Sequence, residues 1–167
     1  MNDAISSGSI VIAPLDPSSA LPATIAALQF SLWGRSTGYS SANDYERLLR
    51  RADGTSALPA VLVAWRDGRF IGSINLLAHE MTTRPHLSPW LAQLLVLEEA
   101  RRQGVGRALI EAASVRATAL GYKRLHLYTS GTLPAFYQSL GWRPIETTDY
   151  LGKLRTVMAF DLSTEAS

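Results

Sequence analysis

Residues 91–109, LAQLLVLEEARRQGVGRAL, carry an apolar strand straight into an arginine- and glycine-rich turn that opens a helix. That order of elements builds an anion site. At a helix start the first N–H groups lack intrahelical partners and the macrodipole is positive, so several donors converge on one bound phosphate. Gly104 and Gly106 let the main chain approach such a ligand, because no Cβ stands between backbone amides and oxygens. Arg101, Arg102 and Arg107 add long-reaching positive charge around the same turn.

The residues beyond the second glycine exclude two phosphate-binding loops. After Gly106 the chain reads Arg107-Ala108-Leu109, where a nucleoside-triphosphate loop needs Lys and then Ser or Thr. A dinucleotide fingerprint needs a third glycine where Leu109 stands. Composition narrows the field further. A chain of 167 residues fits one domain, expected over 1–162 with a frayed tail at 163–167. With 47% hydrophobic and 18% charged residues it has the balance of a globular protein. The net charge is only +2, so the pI of 9.1 does not imply a nucleic-acid partner. There is no cysteine, which removes disulfides, thiolate catalysis and thiolate-bound zinc together. His79, His86 and His126 show no metal-ligand spacing, so no metal is expected. The N-terminus lacks a basic region and a long apolar run, so no membrane association and a cytoplasmic location are expected.

The hydrophobic pattern predicts a first strand at 9–15 and a helix at 21–33 stopped by Gly34. A second helix should run through Arg51, capped by Asn43-Asp44. Strands at 60–65 and 69–77 are joined by Asp67-Gly68, a strong hairpin signal. A polar loop at 78–89 precedes a fourth strand at 90–97, the basic turn, and a helix from about 104 to 120. A fifth strand at 124–129, a short helix at 133–140, and strands near 142–147 and 154–161 complete the chain.

The motif Arg101-x-x-Gly104-x-Gly106, after a strand ending Leu94-Leu95-Val96, resembles the acetyl-CoA pyrophosphate loop of the GNAT superfamily of N-acetyltransferases. The run from Pro134 through Phe136, Tyr137, Leu140 and Gly141 to Trp142 resembles that family's FYxxLGF/W segment, and the order of elements resembles its topology along nearly the whole chain. The resemblance implies an α/β (α+β) GNAT fold: a mixed, mostly antiparallel seven-stranded sheet flanked by helices, splayed in a V between the fourth and fifth strands. It implies direct transfer of acetyl from acetyl-CoA to a primary amine of a small molecule, amino acid or peptide. On the same grounds, main-chain groups of Leu94, Leu95 and Val96 pair with the thioester and pantetheine. Arg101 and the amides of Arg102, Gln103, Gly104, Val105, Gly106 and Arg107 hold the pyrophosphate, and Tyr137 occupies the general-acid position.

Two departures from the family pattern stand out. Where members often have Asn before the short helix, this chain has none between Thr129 and Leu133, and Ser130 or Thr132 is left to supply a hydroxyl. Arg102 stands where many members have Gly; its amide serves if its φ and ψ are ordinary.

A general base must take a proton from the amine, and the fourth strand has no acidic residue. Glu80 is the candidate, with His79 beside it and His86 in the following loop; the alternative is a solvated loop carboxylate. Glu98 and Glu99 read as turn residues or exposed partners of Arg101. Arg84 reads either as a surface arginine beside Pro85 or as a clamp for an acceptor carboxylate. Trp33, Tyr39 and Tyr45 read either as a second acceptor wall or as core. The missing strand-four carboxylate motivates a rival reading, a catalytically silent CoA-binding regulatory domain. The two departures motivate another, a purely structural module. A homodimer stays open, since many relatives are dimers although no element here shows a surplus apolar face.

Overall fold

The computed structural model describes residues 8–162; the tail expected at 163–167 lies outside the described residues. Strand β1 (Val11–Pro14) leads into helix α1 (Leu21–Trp33), a 3₁₀ turn at Gly34–Thr37 and helix α2 (Ala42–Arg50). The hairpin β2 (Ala60–Arg66) and β3 (Arg69–Leu77) precedes β4 (Trp90–Val96), a second 3₁₀ turn at Glu98–Ala100, and helix α3 (Val105–Ala119). Strand β5 (Arg124–Thr129), helix α4 (Leu133–Ser139), and strands β6 (Arg143–Tyr150) and β7 (Lys153–Asp161) complete the order.

The elements come in the expected order, and two local expectations are corrected. The side chain of Ser41, rather than Asn43 or Asp44, caps α2 by accepting from the Asp44 N–H at 3.1 Å. The last hairpin is longer than expected at the turn: β6 runs on to Tyr150 and β7 begins at Lys153. Leu151 and Gly152 make that turn with φ of 52° and 80°, and a left-handed leucine carries none of the Asn-Gly signal by which such turns are read.

The sheet order is β1-β2-β3-β4-β5-β7-β6. All neighbours pair antiparallel except β4 and β5, which are parallel. One face is covered by α1 and α2, whose Ile25 and Leu49 pack with Val63, Trp90 and Val157. The other is covered by α3 and α4, where Leu109, Ile110 and Ala113 meet Leu125, Met158 and Trp142. Each large aliphatic side chain fully removed from water here contributes about 1.5–3 kcal/mol.

Two features of β4 place the site. Its pairing with β5 is confined to Trp90 opposite His126, where the His126 N–H donates to Pro89 O at 3.1 Å. Beyond that point the strands diverge, while β5 stays paired with β7 along its length. The register between β3 and β4 also slips, from Ser73 opposite Leu95 to Asn75 opposite Ala92. β4 therefore holds one extra residue, and at this bulge Gln93 adopts a φ of 48°. The expected V-shaped splay is present, and the bulge lies on its inner arm.

Candidate active site

The diverging strands open a cavity of about 810 Å³, within the range of small-molecule sites. Its floor is formed by β4 and β5, with Ala92, Gln93, Leu94 and Val96 facing Leu127, Tyr128 and Thr129. Leu97 N–H donates to Ile71 O at 2.9 Å, so strand alternation turns the main-chain groups of Val96 toward the gap instead. Val96 O accepts there from Arg101 Nε at 3.1 Å.

One end of the cavity is the start of α3. Gly104, in the N-cap position with φ 83°, provides no side-chain cap, and the first turn of the helix holds no acidic residue. The first amides of α3 thus keep free donor capacity at the positive end of a 15-residue helix. Gly106 lies on the cavity wall with an ordinary φ, and a Cβ built there would meet only Leu94 and Val96 side chains at 3.6 and 3.8 Å. Protein packing therefore tolerates a side chain at Gly106. Arg102 has a φ of 64°, so the condition of an ordinary backbone fails. The turn places a left-handed residue there, which explains why glycine is the usual solution at such a position.

The opposite end is polar. Glu80, on the loop after β3, is partly buried on the cavity wall. Gln93 Nε2 donates to its two carboxylate oxygens at 3.3 and 3.4 Å. Burial pushes the Glu80 pKa up to about 7, and the hydrogen bonds from Gln93 together with the nearby Tyr128 hydroxyl restrain the rise. Glu80 is not a solvated loop carboxylate. Gln93 is itself fixed: its Oε1 accepts from Asn75 Nδ2 at 2.8 Å and its carbonyl accepts from Gln29 Nε2 at 3.1 Å. Asn75 also donates to the Tyr45 hydroxyl at 2.8 Å.

Tyr137, near the end of α4, is 8% exposed, and burial pushes its hydroxyl pKa up to about 12. Its ring packs edge-on against Phe136 and Trp142. The hydroxyl makes no hydrogen bond among the described residues, and Tyr137 lines the cavity. It is available to a ligand as a protonated donor.

Of the residues singled out in the sequence, Leu94, Val96, Arg101, Arg102, Gly104, Val105, Gly106, Arg107, Tyr137 and Glu80 meet on this one cavity. Three do not line it. Leu95 buries its side chain on the opposite face with the α1 and α2 core, leaving only its main chain on the strand. Gln103 is exposed and is turned to Arg66 and to the Glu99 carbonyl. Thr132 is exposed in the N-cap position of α4, whereas Ser130 is on the wall.

Arg84 does not reach the cavity either. It grips Glu146 of β6 with both arms, at 2.7 and 2.9 Å, so a free acceptor clamp is ruled out at this position. Glu98 and Glu99 belong to the 3₁₀ turn, and Arg101 bonds Val96 O rather than either of them. Trp33 lines the cavity; Tyr39 and Tyr45 stack on each other in the α1 and α2 core. The sequence reading missed Gln93, Tyr128, Lys153 and Arg155. Gln93 and Arg155 did leave a trace, as polar residues interrupting apolar strands.

A family model described as an acetyltransferase (GNAT) domain matches residues 58–144, from the approach to β2 through the start of β6. The chain belongs to the GNAT acetyltransferase family. Solved structures extend the GNAT likeness to nearly the whole chain. A GNAT-family acetyltransferase from Streptococcus pneumoniae is 19% identical with a TM-score of 0.68, over 93% of this chain and 100% of that one. An aminoglycoside 6'-N-acetyltransferase complexed with coenzyme A is 16% identical with a TM-score of 0.72, over 94% and 99%. The ribosomal-protein-S18-alanine N-acetyltransferase of Escherichia coli is 18% identical with a TM-score of 0.66, over 95% and 97%. At these identities the likeness speaks to the fold. No curated protein matches the chain by sequence. Among the described residues, no helix is long and apolar enough to cross a membrane, and no cluster of acidic or histidine side chains could hold a metal ion.

Proposed function

We propose that this GNAT protein, as a single domain over 1–162, transfers an acetyl group from acetyl-CoA directly to a primary amine. One cavity that joins the uncapped start of α3 to Glu80 and Tyr137 carries the reading. The residues present suit the cofactor. The free amides at the start of α3, with Arg101, Arg102 and Arg107 around them, match a pyrophosphate. The room at Gly106, which a methyl group would fill, lies against the same wall. The gap-facing edge of β4 near Leu94 and Val96 offers main-chain groups to an extended pantetheine arm, in effect an added strand.

When bound, acetyl-CoA supplies an acetyl group activated as a thioester. Glu80 takes the proton of the incoming ammonium, directly or through one water, and a pKa near 7 is matched to that task. Tyr137 gives its hydroxyl proton to the sulfur as the carbon–sulfur bond opens and the carbon–nitrogen bond forms, and the second proton of the attacking nitrogen passes to solvent. Between turnovers Glu80 gives up its proton to solvent, and solvent reprotonates Tyr137. With no cysteine in the chain, a thioester carried on an enzyme sulfur is not available, which favours direct transfer. The silent regulatory alternative rested on the missing carboxylate in β4; Gln93 of that strand holds Glu80 in its place.

The test is thiol release from acetyl-CoA across a panel of amines, with wild type and Tyr137→Phe side by side. Release with one amine class, lost in the variant, supports the proposal. Tight CoA binding without release for any amine overturns it.

A further inference from the structure

Arg155 of β7 is 7% exposed, yet no salt bridge among the described residues includes it. Its partners are neutral. Nε donates to Tyr150 O and Nη2 to Ser36 O, each at 3.1 Å, and the guanidinium carbon lies 5.1 Å from the centre of the Tyr128 ring. Two carbonyls and an aromatic face offset part of the desolvation of a buried cation, but they leave its charge unneutralised. Nη1 makes no hydrogen bond among the described residues and is not among the fully enclosed polar atoms that lack one. It keeps an opening, and Arg155 lines the cavity with Lys153 beside it on β7.

Tyr128 connects this cation to the proposed base. Its hydroxyl lies near enough to Glu80 to hold that carboxyl's pKa down, while its ring face carries Arg155. One tyrosine therefore separates a carboxylate suited to an ammonium from a guanidinium that lacks an anion. The planar guanidinium fork is the side chain best matched to a carboxylate.

We propose that Arg155, supported by Lys153, holds a carboxylate of the acceptor, so the substrate class is an amine that also bears a carboxylate, such as an amino acid. This rests on the amine-transfer reading of the same cavity. It assigns to β7 the task that Arg84, engaged by Glu146, does not perform. It also disfavours polycationic acceptors, because with Arg101, Arg102 and Arg107 matched to the pyrophosphate, the basic side chains left on the cavity are Lys153 and Arg155, against Glu80 alone.

Matched acceptors test the proposal: an amino acid, its primary amide, the amine lacking the carboxylate, and an aminoglycoside, each assayed by thiol release. Wild type should favour the amino acid over its amide and over the decarboxylated amine by about 10- to 100-fold in kcat/KM. In Arg155→Met, which keeps an apolar chain over Tyr128, that ratio should fall toward one, and Arg155→Lys should retain part of it. A wild-type ratio near one, a preference for the aminoglycoside, or an unchanged ratio in Arg155→Met overturns the proposal. The wild-type comparison decides the question even where Arg155→Met fails to fold. If no amine in the panel supports turnover, the transferase reading falls separately. Calorimetric titration of CoA-loaded wild type with the amino acid and its amide then tests the carboxylate site: selective binding of the acid supports it, and equal or absent binding overturns it.

Discussion

Replacing Gly106 with alanine separates what the fold requires from what a ligand requires. Gly106 is the second residue of α3, its φ is not left-handed, and the added methyl would touch Leu94 Cδ2 and Val96 Cγ2 at ordinary van der Waals distances of 3.6 and 3.8 Å. Alanine exceeds glycine by about 0.8–1 kcal/mol inside a helix, and the position near the helix start reduces this to about 0.5 kcal/mol of net stabilisation. For a domain of this size the gain is about 1–2 °C in Tm. The same methyl would stand where the proposed pyrophosphate approaches the backbone. Loss of one charge-assisted hydrogen bond is worth about 1.5–3 kcal/mol, or about 10- to 100-fold in Kd for CoA. Thermal denaturation without ligand and calorimetry with CoA read the two effects independently. Gly104→Ala is the contrasting control: at φ 83°, with nothing within 4 Å of the new Cβ, it should lose about 1 kcal/mol through backbone strain alone. CoA affinity unchanged in Gly106→Ala would refute the placement of the cofactor against α3, and a drop in stability would refute the packing argument.

Tyr137→Phe should lower kcat by about 10²-fold or more while CoA affinity and Tm hold, since the hydroxyl has no hydrogen-bond partner to lose among the described residues; stopped-flow turnover and calorimetry check both. Wild-type kcat/KM should rise with pH through a pKa near 7 as Glu80 ionises, and Glu80→Gln should lower kcat by about 10²-fold and abolish that limb in a pH–rate profile. Glu80 also makes stability depend on pH. Its folded pKa of about 7 lies above the ordinary 4.5, so its contribution is fully present below pH 4.5 and is lost as pH rises through 7. Urea denaturation should therefore show Glu80→Gln gaining on wild type by up to about 3 kcal/mol between those limits. Arg84→Met and Glu146→Gln should each loosen the β3–β4 loop from β6, and in hydrogen exchange the double variant should be no looser than either single one.

The parts of this molecule legible in its sequence are those governed by local physics. The Asp67-Gly68 hairpin shows φ of 52° and 77°, as its composition requires, and the pattern of α1 predicts both of its ends. The turn at Arg102 was legible in position but not in conformation, because an arginine in the left-handed region is disfavoured by local preference and held by its surroundings. Glu80 was legible as a carboxylate in the right loop. Its surroundings were not, since Gln93, Tyr128 and Asn75 come from three strands whose mutual register the sequence does not state. Arg84 and Arg155 mark the limit most clearly. Both are arginines flanked by apolar or small residues, and only tertiary pairing distinguishes the one bound by Glu146 from the one left without an anion among the described residues.

Gln93 shows why the fold and the site are one problem. An extra residue in β4 costs a left-handed non-glycine conformation, of order 1 kcal/mol, and interrupts the ladder to β3. Tertiary hydrogen bonds on both sides of the strained residue offset that cost, from Gln29 to its carbonyl and from Asn75 to its side chain. The Gln93 side-chain amide keeps its own donors, and these go to Glu80. A regular β4 would send residue 93 to the other face of the sheet, because a one-residue shift inverts every following side chain. The bulge that interrupts the strand therefore also supports the carboxylate that the strand's own sequence lacks, and substitutions at Gln29 or Asn75 should reach the proposed base without touching the cavity.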